Sequence, residues 1–127
     1  MHMKKFKGDP LNITFKHYGD ITVAQAKIDY DNVPEIIMYE FGSLFLSGYK
    51  GTYIITAKTI CKNGDTYNKD MGERIARKKL MKRFMSMVKQ AVKLRMKQLD
   101  TIAHELDILY NFADGSINSI KSYLEDQ

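Results

Sequence analysis

The sequence predicts an α+β fold in which an N-terminal antiparallel β-sheet is followed by a long basic C-terminal helix or a helical hairpin. Two observations carry this prediction. Apolar and polar residues alternate in the first half, which is the period of a half-buried strand, and apolar residues recur every three or four positions in the second half, which is the period of a helix. A chain of 127 residues is the size of one domain. We expect a single domain over 1–127, β-rich at 8–65 and helical at 70–126.

The first half contains a predicted hairpin and one further strand. Alternation is clear at 11–16 and at 21–30, and Gly19 lies in the turn between these runs. Residues 49–61 are rich in β-branched and aromatic side chains and end at an Asn-Gly turn, so they predict another strand. The stretch 36–46 has no clean period and is either a short helix or a buried strand.

A long helix is predicted to begin near Met71. Asp70 and Glu73 have the three-residue spacing of a capping box, which favours a helix start at this point. The pair Gly115-Ser116 is expected to close the helix, and a last short helix follows it.

The course of the helix near Asp100 stays open at this stage. Asp100 could serve as a second N-cap, which would let the chain fold back as a hairpin. Alternatively the helix continues and forms an intersubunit coiled coil, because apolar residues beyond this point keep three-then-four spacing. We expect a homo-oligomer whose interface consists of Leu99, Ile102, Leu106 and Leu109.

The segment 74–97 is the strongest functional signal. It carries ten basic residues and no Asp or Glu. An unbroken run of one sign costs mutual repulsion on a helix and indicates an anionic partner. Six of the ten fall on one side of a helix, in steps of four apart from a gap at Ser86. We call these six the basic row: Arg74, Lys78, Lys82, Lys89, Lys93 and Lys97.

A plainer interpretation is that the basic segment is a solvated face. The chain becomes acidic from Asp100 onward, so a helical hairpin would pair the two segments, each pair contributing some tenths of a kcal/mol. The acidic segment holds fewer charges than the basic one, however, so several cations would stay unpaired. Phosphate binding is therefore the preferred interpretation.

The sequence offers little for catalysis. His2, His17 and His104 are scattered, Cys61 is the single cysteine, and no cluster has the spacing of metal ligands. Asp65 could pair with the nearby carboxylate of the helix start as acid and base, but capping is the commoner role there. We predict a protein that is not an enzyme, without a cofactor or a metal. No apolar stretch suits a membrane span or a signal peptide, which predicts a cytoplasmic protein with no membrane partner.

Three short runs resemble a pattern in small phage-encoded proteins. The pattern is a strand with Ala and Cys, then Asp, an aromatic with Asn, Gly, an apolar residue with Ala, and a basic residue. In this chain it is found at 56–61, 65–68 and 72–80, with Lys79 and Leu80 where the pattern has Arg and Ala. The phage Thoeris anti-defence proteins are similar. This resemblance implies an oligomeric sponge, β-rich at its N-terminus and helical at its C-terminus, that sequesters cyclic ADP-ribose-type immune signals without cleaving them.

The leading hypothesis is thus a phage anti-defence protein that acts in the host bacterial cytoplasm and sequesters a small phosphate-bearing nucleotide. Cations would bind the diphosphate and an aromatic side chain would stack on the base. A DNA- or RNA-binding protein that uses the basic helix is the first alternative, and an inhibitor that docks on a host enzyme is the second. The predicted ligand-binding residues are Arg74, Arg77, Lys78, Lys82, Arg83, Phe84, Lys89, Tyr67 and Asn68.

Overall fold

The computed structural model describes residues 11–46, 51–60 and 68–127, and it confirms the α+β plan. Three strands are followed by one long helix, with a short helix inserted before the third strand. The elements are β1 (Ile13–Tyr18), β2 (Ile21–Ile28), α1 (Met38–Phe45), β3 (Tyr53–Ile60) and α2 (Lys69–Glu125). The chain divides into two compact units, residues 1–92 and residues 93–127.

The strands form an antiparallel sheet in the order β1-β2-β3. A two-residue turn joins the first two strands, and Gly19 in it has a φ of 56°, a conformation that glycine adopts without a steric penalty. The predicted hairpin and third strand are confirmed. The sequence left the stretch 36–46 as either a short helix or a buried strand, and in the structure residues 38–45 form the short helix α1.

One face of the sheet is buried against α2. The alternation of burial places Ala24 and Ala26 of the central strand on this inner face, and both are almost fully buried. Small side chains there let a helix approach the sheet closely. The buried residues of α2 follow four-residue spacing for most of their length and are Gly72, Ala76, Leu80, Phe84, Met87, Val88 and Ala91.

The short helix α1 closes the core beside α2. The ring of Phe41 lies 5.0 Å from that of Phe45 and 6.0 Å from that of Phe84, centroid to centroid. Tyr30 packs over Gly42, because a Cβ at that glycine would lie 2.7 Å from the tyrosine hydroxyl oxygen. Residue 42 therefore has to be glycine for Tyr30 to keep this position.

The start of α2 differs from the prediction. The helix begins at Lys69, and the side chain of Asn68 caps it by accepting a hydrogen bond of 3.2 Å from the backbone N–H of Met71. The prediction of Asp70 as the cap is wrong, since Asp70 lies inside the first turn. Asn and Asp both cap helices well, so their closeness in sequence hid which of them does so.

The end of α2 also differs from the prediction. The helix continues through Asp100 and Gly115 to Glu125, so neither the turn nor the early closure forms, and the intersubunit coiled coil stays a prediction. A glycine in a helix interior costs only about 1 kcal/mol relative to alanine, which the good helix formers around it can offset. Within the described residues, no helix combines the length and apolar character that crossing a lipid bilayer requires.

Candidate anion-binding surface

Four cations of the basic row lie in the unit of residues 1–92, on the side of α2 opposite its buried face. We call Arg74, Lys78, Lys82 and Lys89 the proximal row. Helical spacing places them roughly half a turn from the buried residues Ala76 and Leu80, and all four side chains are exposed. The remaining two members, Lys93 and Lys97, are exposed in the unit of residues 93–127.

The proximal row forms no ion pair in the described part of the chain. No carboxylate of the described residues lies within ion-pair distance of any of its four cations. The nearest acidic residue in sequence, Glu73, is engaged elsewhere, since its Oε2 lies 2.7 Å from Nε2 of His17 in β1. Like charges four residues apart on a helix repel each other. An anion placed on this surface would relieve that repulsion.

Other cations of the segment contact the protein's own sheet. The guanidinium of Arg77 lies over the ring of Phe15, 5.3 Å from its centroid. Arg83 donates a hydrogen bond of 3.0 Å to the carbonyl of Thr56, and Lys79 donates one of 3.2 Å to the carbonyl of Lys58.

These contacts divide the predicted ligand set. Thr56 and Lys58 lie in β3, the edge strand beside α2, so Lys79 and Arg83 satisfy carbonyls that the sheet leaves without a strand partner. Arg77 and Arg83 therefore help to hold α2 on the sheet, and their role in ligand binding stays a prediction. Sequence spacing could not separate the two groups, because the separation depends on where β3 lies beside the helix.

Of the two predicted aromatic residues, the structure describes Phe84, and its position does not suit a stacking role. The Phe84 side chain is fully buried and contacts Phe41, so it presents no face on which a base could stack. Asn68 uses its side-chain oxygen to cap α2. Tyr67, the remaining predicted residue, lies outside the described residues.

Exposed apolar side chains lie among the proximal row instead. Met71, Ile75 and Met85 are 50%, 37% and 42% exposed, and helical spacing places them on the same side as the four cations. The exposure of Met85 follows from its offset of one position from the buried stripe, because residue 84 takes the buried position at that turn.

A hydrogen-bonded series of hydroxyl, imidazole and carboxylate lies at the start of α2. The Thr22 hydroxyl oxygen lies 3.2 Å from Nδ1 of His17, whose Nε2 contacts Glu73. These are the group types of a nucleophilic triad, but Thr22 is 0% exposed, so no substrate could reach its hydroxyl. The series instead ties β1 and β2 to the helix.

Two open hollows lie elsewhere on the surface of residues 1–92. One, of about 610 Å³, is bordered by α1, and the other, of about 270 Å³, lies on the sheet. Neither is lined by a residue of the proximal row. The first is lined by Tyr30, Glu35, Met38, Tyr39, Gly42 and Ser43, and the second by Asn12, Thr14, Gln25, Ala26, Lys27 and Ile54.

Among the described residues, no group of three or more His, Cys, Asp and Glu side chains is arranged to hold a metal ion. Comparison of the chain with protein families, with curated proteins and with solved structures returns no match. The resemblance to phage anti-defence proteins therefore stays a prediction.

Proposed function

We propose that this protein is a non-catalytic phage anti-defence protein that binds and sequesters a small cyclic nucleotide-type immune signal, similar to cyclic ADP-ribose. The observation that carries the proposal is the proximal row, four exposed cations with no carboxylate partner among the described residues. A diphosphate supplies the compensating charge. Arg74 can bind a phosphate through two parallel N–H donors, and the lysines act as point charges.

The apolar side chains of the row suit the rest of such a ligand. Met71 and Met85 are unbranched, and their polarizable thioethers adapt to flat ring surfaces. They could contact a base while Lys78 and Lys82 contact the phosphates. This pairing of charge with apolar surface favours a nucleotide over inorganic phosphate.

Capture without turnover follows from the chemistry of these groups. Ammonium, guanidinium and thioether side chains bind anions and bases, but none of them serves as a nucleophile or general base at neutral pH without special activation. A protein that only sequesters its ligand requires binding affinity and no catalytic group. Nanomolar binding corresponds to about 12 kcal/mol, which requires a more enclosed site than an exposed row provides. The sponge proposal therefore also requires assembly.

Nucleic-acid binding is a second candidate, and the openness of the row favours it. Successive cations four residues apart are separated by about 6 Å along the helix, and Arg74 and Lys89 by about 22 Å. A linear row of this length suits an extended polyphosphate. The two candidates differ in ligand size and in their dependence on salt.

Binding to cyclic ADP-ribose and to a single-stranded oligonucleotide tests both candidates. The double variant Lys78→Glu, Lys82→Glu removes the centre of the row, and Lys121→Glu is the matched control, an exposed lysine of the same helix outside it. For a sponge, cyclic ADP-ribose raises the melting temperature of the wild type and of the control but not of the double variant. If the oligonucleotide alone binds, with affinity that falls steeply with salt, the second candidate replaces the first.

A release experiment tests capture against turnover. The protein is incubated with cyclic ADP-ribose, heated to denature it, and the supernatant is analysed by mass spectrometry. Sequestration returns the intact cyclic nucleotide. Recovery of a linear or hydrolysed product would show an enzyme.

A further inference from the structure

The unit of residues 93–127 exposes a continuous apolar face. If Leu99 is placed at heptad position a, apolar residues fill most a and d positions to the end of the helix. Leu106 and Leu109 are 59% and 63% exposed. The a and d residues are Leu99, Ile102, Leu106, Leu109, Ala113, Ser116, Ile120 and Tyr123.

This apolar face requires a packing partner. Most helical stability in proteins comes from packing an amphipathic face rather than from intrinsic propensity. Ala91 is the last of the buried core residues in the described part of the chain, whereas the large apolar side chains from Leu99 to Leu124 are exposed. A contiguous exposed apolar face of this kind marks an interaction surface.

We propose that this face is covered by the same face of a second copy of the chain, in antiparallel orientation. In an antiparallel pair, each residue at position a packs in a layer with a residue at position d of the other copy. When the two apolar faces overlap over their full length, the twofold symmetry leaves four distinct layers. Each layer has at least one leucine or isoleucine. The layers join Leu99 to Tyr123, Ile102 to Ile120, Leu106 to Ser116 and Leu109 to Ala113 of the second copy.

Charge favours the antiparallel orientation. The beginning of this unit is basic, with Lys93 and Lys97, and its end is acidic, with Glu125 and Asp126. These charges fall at heptad positions b, f and g, so they act between the ends of the two helices rather than as facing ion pairs. A parallel pair places like ends together, whereas an antiparallel pair places each basic end level with an acidic one.

The helix dipole favours the same orientation. Acidic residues at a helix C-terminus are unfavourable because that end carries partial negative charge, and the last turn of α2 holds no basic residue. In the antiparallel pair, Lys93 and Lys97 of the second copy supply positive charge at this end. A parallel pair supplies none there.

Two aromatic side chains that flank the face also fit this arrangement. Tyr110 and Phe112 are 70% and 73% exposed and occupy heptad positions e and g. In antiparallel helices e faces e and g faces g of the other copy. Each aromatic then lies beside its own equivalent near the twofold axis, and both become partly covered.

Site-specific crosslinking tests the proposal, in a Cys61→Ser background that removes the natural thiol. Leu106→Cys and Ser116→Cys chains are mixed and treated with a short bismaleimide. We expect a mixed crosslink between the two chains and little product from Leu106→Cys alone, since equivalent Leu106 positions would lie about 15 Å apart along the axis. Efficient crosslinking of Leu106→Cys to itself would show a parallel pair and overturn the proposal.

Light scattering provides an independent test with a matched pair of variants. Leu106→Asp places a charge inside the face, and Ile108→Asp places the same charge at position c, outside it. We expect Leu106→Asp to halve the particle mass and Ile108→Asp to leave it unchanged. A wild type of monomeric mass, or equal effects of the two variants, would contradict the proposal. These outcomes do not depend on any nucleotide, so they are separate from the test of the proposed function.

Discussion

Nε2 of His17 lies 2.7 Å from Oε2 of Glu73, and this contact joins β1 to the second turn of α2 across 56 residues of sequence. Nδ1 of the same ring lies 3.2 Å from the hydroxyl of the buried Thr22 in β2. All three groups are satisfied if Nε2–H donates to the carboxylate and Nδ1 accepts from the hydroxyl. One histidine thus connects two strands and the helix.

Removing either partner of the His17–Glu73 contact should destabilise the unit of residues 1–92. We expect His17→Ala and Glu73→Ala each to lower the free energy of unfolding by about 1 kcal/mol, because a partly buried hydrogen-bonding group loses its partner. Urea denaturation of both single variants and the double variant gives the coupling energy. Strictly additive effects would show that the contact contributes nothing, and Glu35→Ala, at an exposed position, serves as the control.

The cap of α2 gives a second prediction. Asn68→Ala should lower the free energy of unfolding by about 1 kcal/mol, since it leaves the N–H of Met71 without its 3.2 Å partner. Asp70→Ala should cost only some tenths of a kcal/mol, through the loss of a favourable charge near the positive helix end. Thermal denaturation followed by circular dichroism measures both. The opposite ranking would restore Asp70 as the cap.

Alanine substitutions at two glycines that have open space around them should change the stability in opposite directions. Gly115 lies inside α2, and no atom lies within 4 Å of a Cβ built there, so Gly115→Ala should stabilise the helix by up to about 1 kcal/mol. Gly19 is equally open but has a φ of 56°, so Gly19→Ala should destabilise the hairpin by about 1 kcal/mol. If denaturation experiments showed that both substitutions stabilise the protein, or that both destabilise it, this prediction would be contradicted.

Experiments should distinguish the cations of α2 that contact the sheet from those of the proximal row. The double variant Lys79→Ala, Arg83→Ala leaves the carbonyls of Lys58 and Thr56 without these donors at the edge of the sheet. We expect aggregation on heating to increase, because an uncovered edge strand pairs with other chains, while anion binding is largely retained.

The matched variant Lys78→Ala, Lys82→Ala should show the reverse: weaker anion binding and unchanged aggregation. Turbidity during a thermal ramp and a binding titration give the two measurements. If both double variants lost binding to the same extent, the division between structural and ligand-binding cations would be incorrect.

Periodicity predicted the framework of this fold because it reports directly on burial. The alternation around Ala24 and Ala26 and the four-residue spacing of Ala76, Leu80 and Phe84 both correspond to buried faces. Signals that depend on one or two residues were less informative. Asp100 suits a cap and a helix interior alike, so local chemistry could not decide between a turn and a continuous helix.

The candidate site was predicted only in part, for a related reason. The four-residue spacing of Arg74, Lys78 and Lys82 predicted that the basic row lies on one side of the helix. Which neighbouring cations would reach the sheet could not be predicted, because a sequence does not show which carbonyls of β3 lie beside α2. The burial of Phe84 was foreseeable from the apolar stripe. The predicted stacking role of Phe84 required an exposed ring, and a residue of that stripe is buried.

The helix α2 has two different sources of order along its length. Up to Ala91 the buried side of the helix packs into the core of the same chain, so the order of this half does not require a second copy. In the proposed dimer the half from Lys93 onward gains its burial from association, and its helicity then depends on protein concentration. At low protein concentration the first half would then stay folded while the second half would fray, so circular dichroism over a dilution series would show helicity falling with concentration.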